Sequence, residues 1–401
     1  MSERRGSLVV ILVSTMVAST FSIFAISVLA SPIIDDFGIS RTTVGVIGSV
    51  NTGVGALTAP YSGRITDRIG ARRAVLAVLV LSAVCMLLMG IAQSPWWLVF
   101  AALVAGLPQG WGNPATNALI SESLPPGRRG VITGIKQSGV TLAIFVAGLS
   151  LPGIARFWSW QAACLTFGVF FVGLAVLSWV LLPAHMPQPT PVGDPADRQR
   201  AALPPLISQL GVYALLMGLA SGSIGRFLPL FAEEELGYNL SVAGFAAALS
   251  GLLGMGFRIG AGRLTETTGA PRAILIQLST VALVASTLLA ISPTAGRWLL
   301  WPAVVAYALG HTAWNAVANL AVIMNVPSRD AGQASGIVMM GFLMGLTLAG
   351  PVTGAIVDAR DDYVMAWWLS AALAATAALV LLLRRSDHGP QGDVGVDGDS
   401  R

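Results

Sequence analysis

The string GRITDRIGARR at residues 63–73 returns in altered form as GRLTETTGAPR at residues 262–272. Each copy lies between two long apolar segments, and a constant offset of 199 residues relates them, so that Gly63 pairs with Gly262. The same offset relates further positions: Asp67 and Glu266, Gly70 and Gly269, Arg73 and Arg272, Gly38 and Gly237, and Gly45 and Gly244. A repeat of this length predicts one membrane protein made of two similar halves.

Composition excludes a water-soluble fold. The chain is 55% hydrophobic and 10% charged, with a mean hydropathy of +0.75, whereas soluble domains carry charge at about a quarter of their positions. A soluble core of this length could not bury so much apolar surface. The chain is therefore predicted to be embedded in a lipid bilayer.

Twelve apolar stretches are long enough to cross the hydrocarbon core. Each is predicted to be helical, because lipid offers no hydrogen-bond partners to free backbone groups. Arg4 and Arg5 precede the first stretch as in a secretory signal, but that stretch is too long for one, so it is predicted to be the first span. The predicted spans are residues 8–30, 43–62, 74–92, 96–120, 131–153, 161–182, 206–231, 241–261, 273–292, 298–322, 333–356 and 363–383.

Arginine placement indicates the orientation. With the amino terminus in the cytoplasm, sixteen arginines fall inside, and only Arg41, Arg156, Arg297 and Arg360 fall outside. That bias is the one the positive-inside rule expects. Both termini of this multi-pass protein are therefore predicted to be cytoplasmic, and the net charge of +4 reflects topology, so no nucleic-acid partner is expected.

The predicted spans group into two bundles of six. Residues 1–182 form the amino-terminal bundle and residues 206–385 the carboxyl-terminal bundle. Residues 183–205, rich in proline and polar residues, are predicted to be a cytoplasmic linker. Residues 386–401 contain too little apolar surface to fold and are predicted to be a disordered cytoplasmic tail.

The repeated loop resembles the signature loop of the major facilitator superfamily, whose pattern runs Gly-x-x-x-Asp-Arg-x-Gly-x-Arg-Arg. The first copy matches at Gly63, Asp67, Arg68, Gly70, Arg72 and Arg73. The resemblance implies an all-α membrane protein with twelve transmembrane helices in two pseudo-symmetric six-helix bundles, working as a bacterial inner-membrane transporter by alternating access. The stretch at residues 35–73 is more loosely similar to the opening of the oxalate/formate and monocarboxylate branch of that superfamily.

The signature loop is expected to act as a gate. Gly63 and Gly70 allow tight turns and close helix approach, and Asp67 could accept hydrogen bonds from loop arginines or from amides at a helix start. Such contacts would latch the cytoplasmic side in one state. The alternative is that Arg72 and Arg73 only anchor topology. The second copy, with Gly262 and Glu266, keeps the carboxylate but lacks the second arginine, so we expect a weaker latch there.

Two stripes of polar residues lie inside the predicted spans. Polar side chains there cost free energy of membrane insertion and usually have a function. Each stripe repeats every four residues and so occupies one helix face, and the two align at an offset of 202 residues. The stripes are Gln109, Asn113 and Asn117 in the fourth span and His311, Asn315 and Asn319 in the tenth. In the resembled family these helices line the central cavity, so Gln109, Asn113, His311 and Asn315 are predicted to bind substrate. Interhelical hydrogen bonding is the alternative.

Three basic residues, Lys136, Arg226 and Arg258, fall within spans, and no acidic residue lies well inside one. Unpaired positive charge at a water-filled cavity attracts anions, which makes Lys136 the first predicted anion contact and Arg226 the second. Lys136 could instead extend to the interface along its flexible stem. Arg226 could pair with a glutamate at 233–235, and Arg258 is expected to pair with Glu266.

The sequence thus predicts a secondary transporter for a small organic anion, a carboxylate by preference, acting as a monomer in the lipid bilayer. His311 is the one titratable group near midplane that could carry a coupling proton, and symport, exchange and uniport all stay open. No cofactor or metal is expected.

Efflux of lipophilic compounds or drugs is the alternative function, and it would be favoured if Lys136 and Arg226 faced away from the cavity. A sensor would need a larger cytoplasmic domain than the linker and tail provide. The sequence contains no GxSxG, HExxH, paired CxxC or P-loop motif, so an enzyme is not expected.

Overall fold

The computed structural model of the protein describes residues 2–123, 126–182, 205–325 and 331–383. The helices are α1 Ser2–Val28, α2 Ala30–Phe37, α3 Arg41–Ile69, α4 Ala71–Gly90, α5 Pro95–Ser123, α6 Pro126–Phe157, α7 Trp160–Leu181, α8 Pro205–Glu234, α9 Leu240–Thr268, α10 Pro271–Ala295, α11 Leu300–Asn325, α12 Ala331–Arg360 and α13 Val364–Leu383. Each predicted span coincides with a long helix, which confirms the predicted fold class. The short helix α2 was not predicted, and the linker up to residue 204 and the tail lie outside the described residues.

Hydropathy separates three of the long helices from the rest. Within the described chain, nine helices are long and apolar enough to span a membrane by composition alone. The long helices outside that group are α3, α5 and α11. Two of them, α5 and α11, carry the polar stripes, so their lower hydropathy reflects a polar interior face.

Successive long helices run in opposite directions, which gives the bundle two ends. We call the end that holds the turns α3–α4 and α9–α10 the signature end, and the opposite one the far end. At the signature end Gly70 and Gly269 each join two helices with positive φ, +84° and +63°, a conformation that glycine adopts without steric cost. The predicted tight turn is therefore present at Gly70.

The two halves, α1–α7 and α8–α13, are packed together at the far end. One apolar core runs across them, and it joins Phe21 and Phe171 to Phe227 and Trp367. A second core, around Trp314, lies in the α8–α13 half alone. The hydrophobic contact between the halves is thus concentrated at one end.

Glycines allow two helix pairs to meet backbone to backbone at the far end. Gly45 of α3 contacts the carbonyl group of Gly350 on α12, and Gly148 of α6 contacts Gly244 of α9 in the same way. Small residues are what such close crossings require. The crossings are related by the internal repeat, since Gly45 and Gly244 are one of the matched pairs.

Towards the signature end, the same helix faces make no such close contact with the described residues. Gly63 lies eighteen residues after Gly45, about five helical turns, and therefore on the same face of α3. No heavy atom of the described residues would lie within 4 Å of a Cβ at Gly63, and the same holds for Gly262, eighteen residues after Gly244. The turn expected at Gly63 is wrong, because Gly63 lies inside α3, and a close approach of another helix to Gly63 stays a prediction.

Candidate functional site

Lys136 lies at the centre of a hydrogen-bond network between α5 and α6. Its side chain is 1% exposed, and Nζ donates to Asn117 Oδ1 at 2.7 Å, Thr116 Oγ1 at 2.9 Å and Asn113 Oδ1 at 3.1 Å. An ammonium group has three donors, so all three are satisfied by neutral oxygens. Lys136 therefore bonds to the interior face of α5 and does not extend to the interface.

This network fixes the orientation of two amides. Asn113 and Asn117 are exposed, and each must turn its oxygen toward the ammonium because Lys136 can only donate. Their NH₂ groups are then directed away from Lys136. The arrangement presents amide donors backed by a buried positive charge, the chemistry that binds an anion.

The stripe on α11 is divided. Asn319 Nδ2 donates to Asn315 Oδ1 at 2.9 Å, which leaves the NH₂ group of half-buried Asn315 as a further donor. His311 is 2% exposed, and its Nε2 lies 3.2 Å from both Ser286 Oγ and the Ala282 carbonyl of α10. The structure thus places the His311 side chain within its own half and does not bring it to Lys136.

Gln109 and His311, equivalent in the repeat, each keep one buried polar atom without a partner among the described residues. These atoms are Gln109 Oε1 and His311 Nδ1. Buried polar groups are nearly always hydrogen-bonded. Gln109 also packs against Gly55 of α3, so the structure places it beside a neighbouring helix with only partial exposure.

Arg258 is a candidate site residue for which the sequence predicted a different partner. The expected pairing with Glu266 is wrong, since the Arg258 Nε donates to the carbonyl of Thr312 on α11 at 3.0 Å, and Glu266 is exposed near the end of α9. Thr312 lies between His311 and Asn315 in the sequence of α11. Arg258, a half-buried residue, thus lies beside the polar face of α11. Only the crossing of α9 and α11 could have indicated this position, and sequence spacing does not reveal that crossing.

Arg226 bonds the two halves together. Its side chain is 9% exposed, and from α8 it donates to Ser49 Oγ at 2.8 Å, Thr52 Oγ1 at 3.0 Å and the Gly48 carbonyl at 3.2 Å, all on α3. No glutamate of 233–235 pairs with it among the described contacts. The structure therefore places Arg226 in the far-end contact and does not bring it to Lys136.

A polar cluster closes the far end, and we call it the far-end latch: Arg41, Glu234, Asp358 and Tyr363. Asp358 Oδ1 and Oδ2 accept from the backbone amides of Arg41 and Thr42 at 3.0 and 2.8 Å. A carboxylate of the α8–α13 half thus caps the first turn of α3, where free amides and the helix dipole favour negative charge.

Glu234 completes the far-end latch. It pairs with Arg41 Nε at 2.9 Å and accepts from Tyr363 Oη at 2.5 Å. Burial, and then the adjacent Glu234 carboxylate, raises the pKa of Tyr363 well above its usual range. The phenol therefore stays protonated and continues to donate at any physiological pH.

Asp358→Asn is expected to open the far end more often. An amide accepts through one oxygen and carries no charge, so the cap on α3 should weaken by about 0.5–2 kcal/mol, which shifts a two-state equilibrium by about twofold to thirtyfold. Spin labels at Gln93→Cys and Thr294→Cys, exposed far-end sites on opposite halves, would report a longer distance. The native thiols Cys85 and Cys164 are buried, and an unchanged distance distribution would contradict the capping role.

The signature arginines make contacts within each half. Arg72 donates to the carbonyls of Leu182 and Trp179 at the end of α7, at 3.0 and 2.9 Å, and Arg272 donates to the carbonyl of Leu381. Cations near a helix carboxyl terminus stabilise its free carbonyls. Arg68 and Arg73 are exposed. The side chain of Asp67 lies outside the described residues, so the latch at Asp67 stays a prediction.

The fold and this site define a membrane transport protein with two helix bundles around a polar cleft. The family model of the Major Facilitator Superfamily matches residues 11–340, and the chain belongs to that superfamily. It is therefore a transporter and not an enzyme.

Individual relatives are distant. Multidrug resistance protein MdtG of Klebsiella pneumoniae (strain 342) is 28% identical over 254 residues, 62% of this chain and 60% of that protein. A gallate transporter of Pseudomonas putida is 27% identical over 167 residues, 41% of this chain and 36% of that protein. The chain thus spans less than two thirds of either relative.

Among solved structures, the fold is similar to a bacterial homolog of the human lysosomal transporter Spinster in an inward-facing and occupied conformation. The TM-score is 0.75 at 17% identity, covering 94% of this chain and 96% of that one. This likeness concerns the fold alone.

Proposed function

We propose that the protein transports a small organic anion, a carboxylate, across the bacterial inner membrane. The observation that carries the proposal is the Lys136 network, in which a buried cation is held by neutral oxygens alone. None of the ion pairs among the described residues involves Lys136, Arg226 or Arg258. A substrate carboxylate would supply the missing negative charge.

The substrate site lies between α5 and α11 in this proposal. Lys136, Asn113 and Gln109 contribute from one half, and Arg258 and Asn315 from the other. An anion that touches both halves stabilises their approach, which couples binding to the change of access. His311 is proposed as a coupling group only for conformations in which it becomes accessible, because here it is bonded to α10.

Positive charge at the signature end supports a cytoplasmic location for that end and for both termini. The described conformation, closed at the far end, is then the inward-facing one. Glu266 and the signature arginines would gate the cytoplasmic side in the opposite conformation, and we propose that the protein acts as a monomer.

Ligand stabilisation of the purified protein tests the substrate class, since a ligand that binds the native state raises the melting temperature by mass action. Gallate, benzoate and succinate are expected to raise it saturably. Stabilisation by ethidium or tetraphenylphosphonium alone would overturn the proposal and favour lipophilic efflux, the second candidate, which rests on the relatives named multidrug resistance proteins.

Asn117→Asp is expected to abolish carboxylate binding without loss of the fold. The new carboxylate would form an ion pair with Lys136 across the present 2.7 Å contact, which neutralises the site, and we expect affinity to fall at least about tenfold. Asn325→Asp is the matched control, because Asn325 is exposed and bonds to the Ala321 carbonyl of its own helix. Equal affinity in the two variants would contradict the site.

A further inference from the structure

An apolar groove runs along the outer surface between α4 and α7. Its volume is about 320 Å³, and it is lined by Leu76, Val80 and Val84 from α4 and by Val172, Val176 and Trp179 from α7. It lies on the outside of the α1–α7 half, away from the Lys136 site. Both helices are long and apolar enough to span a membrane, so the groove faces the acyl chains of the bilayer.

An arginine side chain without an ion pair among the described residues lies at the signature end of this groove. Arg73 precedes Leu76 by three residues and Val80 by seven, so it lies on the same face of α4, one turn closer to the signature end. Arg73 is exposed, and no ion pair is recorded for it among the described residues. Arg72, bonded to the Trp179 carbonyl, adds a second positive charge at the same end.

We propose that this groove binds one anionic phospholipid of the leaflet at the signature end. One acyl chain occupies the groove, and the phosphate pairs with Arg73. Charge and shape both favour this occupant: the wall is apolar along its length, and positive charge is confined to the end that lies at the membrane surface. Exposed Trp179 stands at the same level, where indole rings favour the headgroup region.

The other half provides an internal comparison. Arg272, at the start of α10, repeats the contact of Arg72 by donating to the carbonyl at the end of α13. At the offset of 199 residues Arg272 matches Arg73, yet it makes the contact that Arg72 makes in the first half, and the residue after it is Ala273. A free arginine above the outer surface therefore occurs in only one of the two related helix pairs of the described chain, so structural capping of the helix end does not require it.

Native mass spectrometry of the purified protein with dioleoyl phosphatidylglycerol or dioleoyl phosphatidylcholine tests the proposal. The wild type should retain phosphatidylglycerol preferentially, and Arg73→Ala should retain about fivefold less. Arg263→Ala is the matched control, because Arg263 is another exposed arginine at the signature end. Val80→Trp, which fills the groove and leaves the charge, should also reduce retention.

Three results would overturn the proposal. These are equal retention of phosphatidylglycerol by Arg73→Ala and Arg263→Ala, equal retention of the two lipids by the wild type, and a dimer that excludes lipid from the groove. None depends on the transported substrate, so the test stands apart from the proposed function. Melting temperatures of the variants identify any loss of fold.

Discussion

Lys136→Gln is expected to weaken carboxylate binding at least about tenfold and to abolish concentrative uptake. Removing one partner of a partly desolvated charge pair costs about 2–5 kcal/mol, and each 1.4 kcal/mol is about tenfold in affinity. The fold should survive, because the glutamine amide can still donate to Asn113 or Asn117. The measurement is the dissociation constant for gallate or benzoate from thermal shifts, with uptake into proteoliposomes beside it.

Arg263→Gln is the matched control for Lys136→Gln. It also removes one positive charge, but from an exposed position on α9, so it should leave the affinity unchanged. A general loss of positive potential would affect both variants alike. Undiminished affinity in Lys136→Gln would remove Lys136 from the substrate site and with it the main support for an anionic substrate.

The fold could be predicted from the sequence because its determinants are local or periodic. Lipid forces every span into a helix, so the apolar stretches of the sequence located the twelve long helices, including the three of lower hydropathy. The repeat at residues 63–73 and 262–272 then divided them into two halves. Helix α2 escaped prediction because all but its first residue lies beyond the predicted first span, and its eight residues are too few to cross a bilayer.

The site was less accessible to prediction because it depends on how helices cross. Spacing showed that Asn113 and Asn117 share a face, but not that Lys136 of the next helix reaches both. His311 shares the face periodicity of Asn315, yet its ring bonds to α10 because α10 and α11 pack closely there. Arg258 was predicted to pair with a glutamate nearby in the sequence, and Arg226 to contact the anion or to pair with such a glutamate, whereas the structure gives both of them oxygens on other helices.

Asp358, at the far end, is another residue whose contacts could not be predicted from the sequence. It lies in the last turn of α12, where sequence reasoning treats an acidic residue as a solvated terminus. Its partners are the amides of Arg41 and Thr42, more than 300 residues away in the chain. Contacts between residues so far apart in the chain leave no local pattern, so the sequence cannot indicate them.

Gly45→Val is expected to prevent closure of the far end. A Cβ at Gly45 would overlap the carbonyl group of Gly350, and backbone cannot move aside as a flexible side chain can. Overpacking costs about 1–3 kcal/mol or more, which shifts the equilibrium toward the far-end-open state by about fivefold or more. The distance between labels at Gln93→Cys and Thr294→Cys should lengthen, and turnover should fall while Lys136 and its partners stay intact.

Because the repeat matches Gly45 with Gly244, a substitution at Gly244 tests the equivalent helix crossing. Gly244→Val should act in the same direction as Gly45→Val, because Gly244 contacts Gly148 in the equivalent crossing of α9 with α6. Gly173→Val is the control, since no heavy atom of the described residues would lie within 4 Å of a Cβ there. If α3–α12 and α6–α9 close as one unit, either substitution alone opens both crossings and yields the same long distance. A shift with Gly45→Val but none with Gly244→Val would show that the two crossings open independently.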